Sequence, residues 1–298
     1  MNATGAGYGQ AGVAGLSHGC AGPTAARMLI GRKLRRLREA AGLTCEEAAQ
    51  VIRGSASKIS RLELGRTGAK LRDVTDLLAL YGANAEQGAA MLTLARQTSK
   101  PGWWHSFGDV VPAWFEPYLG LEQAAAVIRT YEIQHVPGLL QTEGYARAVI
   151  GPGSVAVSPE LTERRVALLM RRQERFRAGP ASLWAVIDES VIHRLVGGPA
   201  IMRAQLRHLI EISQLPTVSV QILPLIAGQA TAAGAVTLLH FNDDELPDVV
   251  YTEQLTGARY LDKPADTEGY RHALNELAAA ALPPGATPVV LRRLLGPA

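Results

Sequence analysis

Between Thr24 and Lys100 the apolar residues return at the spacing of amphipathic helices. Ile30, Leu34, Leu37 and Ala41 fall on one face of a first helix that Thr24 can cap, while Arg32, Arg35 and Arg36 fall on another. Gly42 ends that helix. Thr44 then caps a second helix, Glu47 three residues on completes a capping box, and Ala48, Ala49 and Ile52 turn inward. Arg53-Gly54 makes a turn, and Ser55 starts a third helix whose Ile59 and Leu62 point to a core before Gly65 closes it. Helices over about 70–81 and 84–98 follow. Five short helices joined by tight turns make a small all-α domain.

After Lys100 the texture changes. The passage PGWWHSFGDVVPAW is rich in Pro, Gly and Trp and reads as a connection with its own packing. Beyond it, Ala125–Ile133, Leu183–Ile187, Val218–Leu223, Val236–Phe241, Val249–Thr252 and Arg259–Leu261 read as strands. Residues 142–150, 159–177, 199–212, 264–281 and 287–295 read as helices. The expected architecture is an all-α N-terminal helix-turn-helix domain over 24–100, a linker over 101–120, and a larger α+β domain with a mixed or antiparallel sheet over 121–298.

Charge sharpens this division. The chain has a net charge of only +3, but Arg27 to Lys100 holds 14 Lys and Arg against 7 Asp and Glu, while the remainder holds 16 against 20. A compact basic module on a mildly acidic body is the pattern of a protein in which the module alone meets a polyanion.

Composition excludes several classes. No run of about 18 apolar residues suggests a membrane span, and the N-terminus lacks a basic start and apolar stretch. The chain is expected in the cytoplasm. Cys20 and Cys45 are too far apart for a CxxC pair, and the seven His form no HxxxH or HExxH, so neither metal nor cofactor is expected. Residues 1–23 contain seven Gly and no charge, which reads as a disordered tail. Gly7, Gly9 and Gly12 satisfy GxGxxG, and Gly15, Ser17 and Gly19 satisfy GxSxG. Neither has the strand and helix that its chemistry needs, so both are accidents of composition.

The second and third helices fit the pair in which one helix crosses the phosphates and the next lays its N-terminal residues on base edges. With Ile59 and Leu62 inward, Ala56, Ser57, Lys58 and Arg61 lie on the outer face or its N-terminal end, and become the expected base readers. Arg32, Arg35, Arg36, Thr44, Ser55 and Arg66 are the expected phosphate contacts. The stretch LTCEEAAQVIRGSASKISRLELGR resembles phage-repressor-like, xenobiotic-response-element-type transcription regulators, whose pattern runs LTxEELA, a turn, then SxSxISRxExG. That resemblance implies double-stranded operator DNA as partner and a structural ion pair between Arg38 and Glu63. One departure stands out: Arg53 occupies the family's turn glycine, with Gly54 one place later. A positive φ at a non-glycine residue is strained, so a reshaped turn is expected.

The remainder is similar to the uncharacterised C-terminal domain of actinobacterial regulators described as antitoxin-like. The resemblance runs through LEQAAAVIRTYEIQHVPGLLQTEGYARAV, RRQERF, QLRHLIEI, PTVSVQILPLIAGQ and VVYTEQLTGARYL. Such a domain can dimerise, bind a small-molecule effector or bind a small protein partner; a homodimer is expected, because one helix-turn-helix makes too few contacts for tight specific binding. No nucleophile-base-orienter set can be assembled from the spacing, so no enzyme is expected. Trp103, Trp104, Glu122, Tyr131, His135 and Glu189 are the candidate effector or partner region. The arginine-rich RRVALLMRRQERFR is read as a solvated face, ahead of a second phosphate contact or an acidic-partner site. The rival function is an antitoxin-like protein whose DNA binding serves autoregulation.

Overall fold

The computed structural model describes residues 22–151, 158–227 and 234–296; the glycine-rich tail read over residues 1–23 lies almost wholly outside them. The N-terminal part is built of α1 (Pro23–Ala40), α2 (Cys45–Val51), α3 (Ala56–Glu63), α4 (Leu71–Leu80) and α5 (Ala85–Thr98). Their inward residues form one core around Ile30, Leu34, Ala48, Ile59, Leu77 and Met91. Two details of α1 differ from expectation. The helix begins at Pro23, where a missing N–H costs nothing, so Thr24 lies inside the first turn and caps nothing. Ala41 is the exposed C-cap rather than part of the apolar face.

Three of these helices end alike. Gly42, Gly65 and Gly82 take φ of 70°, 67° and 69°, and the amides after each helix close back on its last carbonyls. Gly31 has a different task. A methyl there would stand 2.5 Å from the Glu63 carbonyl oxygen, so the glycine lets the end of α3 press against α1.

A short 3-10 helix (Trp103–Phe107) leads to α6 (Glu116–Ala124), which begins inside the stretch read as a linker. The second body is a six-stranded sheet of β1 (Val127–Glu132), β2 (Ser182–Asp188), β3 (Val218–Leu223), β4 (Val236–His240), β5 (Val249–Gln254) and β6 (Gly257–Leu261). Its order is β3-β2-β1-β4-β5-β6. β1 pairs parallel with β2, and β2 with β3, whereas β1–β4, β4–β5 and β5–β6 are antiparallel, so the sheet is mixed.

Both faces of this sheet are covered, which is why its strands read as nearly continuous apolar runs. One face carries Ile128, Leu183, Ile187, Val220 and Leu239 and packs under α6, α7 (Glu143–Ile150), α8 (Pro159–Ala178), α10 (Pro199–Ile212) and α12 (Thr287–Leu295). The other carries Tyr131, Val186, Leu238 and Val250 and packs on Leu274 and Leu277 of α11 (Pro264–Ala280). A single turn of helix, α9 (Glu189–His193), follows β2.

Among the described residues the two bodies touch at α6 and at the β4–β5 loop, among other contacts. Thr24 of α1 lies against Gly120 of α6, with no room for a methyl at Gly120. Leu246, in the β4–β5 loop, packs against both cores. No helix among the described residues is long and apolar enough to cross a membrane.

Candidate nucleic-acid interface

The turn between α2 and α3 keeps its shape despite the missing glycine. Arg53 itself takes φ of 49°, the one positive value at a non-glycine position among the described residues. Its amide donates to the Gln50 carbonyl at 3.2 Å and the Gly54 amide donates to the Ala49 carbonyl at 2.9 Å. This is the closure seen after Gly42 and Gly65, with arginine in the left-handed position. The expected reshaping does not occur, because the two bonds fix the turn and the strain is absorbed at Arg53. That strain is on the order of 1 kcal/mol.

Helical rotation then sorts α3. Ile59, Leu62 and Glu63 are buried, and the opposite face presents Ser57, Ser60, Arg61 and the exposed Leu64. Ser57, Ser60 and Arg61 line an open groove with Ala56 and with Cys45 and Glu46 at the start of α2. Sequence reasoning missed Ser60, although its spacing of three from Ser57 would have found it. Ala56 and Lys58 flank this face rather than centre it. The Lys58 ammonium is 2.6 Å from the Asp73 carboxylate of α4, so it is already paired within the protein. Arg61 is exposed and has no side-chain partner among the described residues.

The caps hold both helices in place. Ser55 accepts from the Lys58 amide at 3.3 Å, which leaves its hydroxyl proton available. Thr44 is different. Its amide and its hydroxyl both donate to the Glu47 carboxylate, at 2.7 and 3.0 Å, so both groups are engaged within the chain. The capping bonds also hold the Glu47 carboxyl below the usual carboxylate range. The Cys45 and Glu46 amides remain as donors there, because no intrahelical carbonyl precedes them, while the Glu47 amide donates to the Thr44 hydroxyl oxygen at 3.2 Å.

The basic face of α1 is turned toward the second body. The Glu245 carboxylate lies 2.9 Å from the Lys33 ammonium and 3.4 Å from the Arg36 guanidinium, and Arg32 donates to the Glu245 carbonyl at 3.5 Å. Arg35 pairs with Glu39 at 2.8 Å. The arginines expected to meet phosphate are thus answered inside the chain, while Arg66, just past α3, is exposed.

Beneath this surface Arg38 and Glu63 meet in a two-pronged pair, with Nε–Oε1 at 2.6 Å and NH2–Oε2 at 3.0 Å, and Arg38 also donates to the Leu43 carbonyl at 2.6 Å. The hydrogen bond to Glu63 pushes the Arg38 guanidinium further above its ordinary value. Both side chains are buried, so the pair ties α1 to the end of α3 and fixes that helix against its neighbours.

The six residues proposed for an effector or partner do not converge. Trp103 and Glu122 line one cleft with Arg172 and Arg175. Trp104 is buried with Val111, Leu119 and Leu168, and Tyr131 is buried on the opposite sheet face, under α11; neither is exposed to a ligand. His135 is partly buried, and burial pushes its imidazole below the ordinary range. Glu189 accepts from the Leu225 amide at 2.8 Å, far from the Trp103 cleft in the chain. The arginine-rich helix α8 is not a uniformly solvated face. Arg172 is paired at 3.0 and 2.7 Å with the buried Glu122, Arg164 with Asp109, and Arg175 lies over the Trp103 ring at 5.4 Å.

Two known families match parts of the chain. A helix-turn-helix domain family matches residues 29–91, and a domain of unknown function, DUF5753, matches residues 115–293. Among curated proteins and among solved structures, none matches the chain.

Proposed function

The chain belongs to the DUF5753 family, with a helix-turn-helix domain ahead of that region, and from this premise we propose that it is a sequence-specific transcription regulator of the phage-repressor-like, xenobiotic-response-element type. It reads the major groove with α3, works as a dimer on two half-sites, and is regulated through its C-terminal domain. The observation that carries the reading is the outer face of α3. Ser57, Ser60 and Arg61 stand exposed on a helix held by two capped ends and a buried ion pair, which is the rigid presentation base contacts require. Arginine suits guanine O6 and N7, and serine either base edge or phosphate.

Regulation through the C-terminal domain is supported by the contact at Glu245. A carboxylate that engages Lys33 and Arg36 occupies cations that a phosphate would otherwise take, so displacement of the β4–β5 loop would expose them. Such a regulator acts in the cytoplasm, on the nucleoid. The antitoxin-like alternative places a small protein on the same C-terminal domain, and a co-purifying partner in native mass spectrometry would support it.

Selection of binding sites from random duplex DNA with the purified full chain tests the proposal. The expected result is a motif with twofold symmetry and half-sites about one helical turn apart. Enrichment of no motif would overturn sequence-specific reading, and a single asymmetric half-site would overturn the dimer.

A further inference from the structure

Under the helix-covered face of the sheet lies a recess of about 160 Å³, walled by Tyr118 of α6, Thr130 and Glu132 of β1, Thr237 of β4, and Tyr251 and Glu253 of β5. The rings of Tyr118 and Tyr251 are 4.3 Å apart, and Phe115 stacks on Tyr118 at 5.3 Å, so much of the wall is aromatic. Arg172 borders the space, but its guanidinium is already engaged by both oxygens of Glu122, which cancels its charge locally. Glu253 accepts from the Tyr251 hydroxyl at 2.8 Å. The Glu132 carboxyl has neither a hydrogen-bond nor an ion-pair partner among the described residues. Two carboxyl groups therefore border one small space whose bordering guanidinium, Arg172, is held by Glu122 and lies 5.4 Å from the Tyr118 ring, which leaves Glu132 with no ion-pair partner of its own. Burial, then the charge of Glu253, pushes the Glu132 carboxyl up to about 8.

The recess does not end there. Phe115, Gly138, Arg172 and Glu253 also border a wider cleft of about 690 Å³, whose walls include Val111, Trp114, Ile150, Leu168 and Leu169. A small acidic, aromatic end thus continues into a larger cleft with apolar walls and with Asp109, Gln141 and Arg165 at its border.

We propose that recess and cleft form one binding site for a small amphiphilic amine, its ammonium between Glu132 and Glu253 against the tyrosine rings and its apolar body along the cleft. A cation there answers Glu132, which has no ion-pair partner among the described residues, and Glu253, which shares the charge of Arg172 with Glu122, and gains from the electron-rich ring of Tyr251. An anion would meet the same carboxylates with Arg172 already neutralised. A neutral ligand would leave Glu132 without an ion-pair partner. Because α6 walls the recess and carries Gly120, against which α1 rests, an occupant bears on the element that adjoins the DNA-binding body. That regulatory consequence rests on the function proposed above; binding itself does not.

The test is isothermal titration calorimetry of the full chain with n-octylamine and 2-phenylethylamine, and with octanoate and n-octanol as controls. Saturable one-to-one binding of an amine is expected, with octanoate failing to bind. Glu132→Gln and Glu253→Gln should each weaken the amine by about tenfold or more. Affinity should rise from about pH 6 to about pH 8, since the Glu132 carboxyl must release its proton to solvent to answer the ammonium, and Glu132→Gln should abolish the rise. The other charged or titratable groups facing Glu132 are Glu253, Glu122, Arg172 and the hydroxyls of Tyr118, Tyr145 and Tyr251. Burial, before any other cause, pushes the three hydroxyls up, away from this range. Equal binding of octanoate, no saturable binding of either amine, or amine affinity unchanged in both variants would overturn the assignment; the octanoate comparison needs no variant to fold. Operator binding measured on the same samples separates the two ideas. If octylamine binds while operator affinity stays fixed, the site stands and the regulatory reading falls.

Discussion

On α1, Arg32, Lys33 and Arg36 all meet one residue of the C-terminal body, Glu245; on α3, Arg61 stands between exposed serines with no partner among the described residues. Both helices contribute to the same excess of positive charge. Counting charge locates a basic module, and the structure separates its cations into those paired within the chain and those left exposed. What decides is which cations the rest of the chain has already answered. Lys58 makes the same point within α3, since Asp73 holds it to the side of the groove.

The comparison can be broken most forcefully at the frame that orients α3. Arg38→Ala leaves the Glu63 carboxylate buried without its partner, and loss of about 3 to 5 kcal/mol of stability is expected. Urea denaturation of the full chain would show it, and a midpoint equal to wild type would remove the pair as a structural tie. Next in size is Arg61→Ala, with an expected cost of about 1 to 3 kcal/mol in operator affinity. Lys58→Ala should cost less, because Lys58 must leave Asp73 to reach DNA; fluorescence anisotropy with both variants ranks them, and the reverse order would move the reading face toward Lys58.

Smaller effects probe the other half of the contrast. Glu245→Gln releases Lys33 and Arg36, so operator binding should tighten by a few-fold and its salt dependence steepen by about one to two counterions. Unchanged affinity and salt slope would place the α1 cations outside the interface. Smallest is Arg53→Gly, which relieves the left-handed strain but adds freedom to the unfolded chain. A gain of about 0.5 kcal/mol, read as a melting temperature higher by about 1 to 2 °C, is expected. A lower melting temperature would mean that the Arg53 side chain stabilises the turn.

The two regions also differ in how much of them was legible in the sequence. In the helical body the caps, the glycine ends and the inward stripe are local, so spacing of three and four revealed all five helices and the Arg38–Glu63 pair followed from family resemblance. In the C-terminal body all six strands were legible from their apolar, β-branched runs, but strand order was not, because pairing between β1 and β4 depends on contacts across more than a hundred residues. Helix α6 escaped because Pro117 and the aromatic letters around it look like a linker. Proline is tolerated in a first turn, and the helix continues behind it. The Glu245 contact with Arg32 spans 213 residues, beyond the reach of any local pattern. The candidate effector residues scattered for the same reason: their letters suggested chemistry, and only the topology could show which of them share a space.

Reading by the outer face of α3 is the central claim, and the most direct measurement is base-resolved. A full set of single-base variants of the selected operator would be titrated with wild type and with Arg61→Ala. The account predicts that the variant loses discrimination at one base position in each half-site and keeps it elsewhere. Parallel weakening at every position, or a profile identical to wild type, would contradict it.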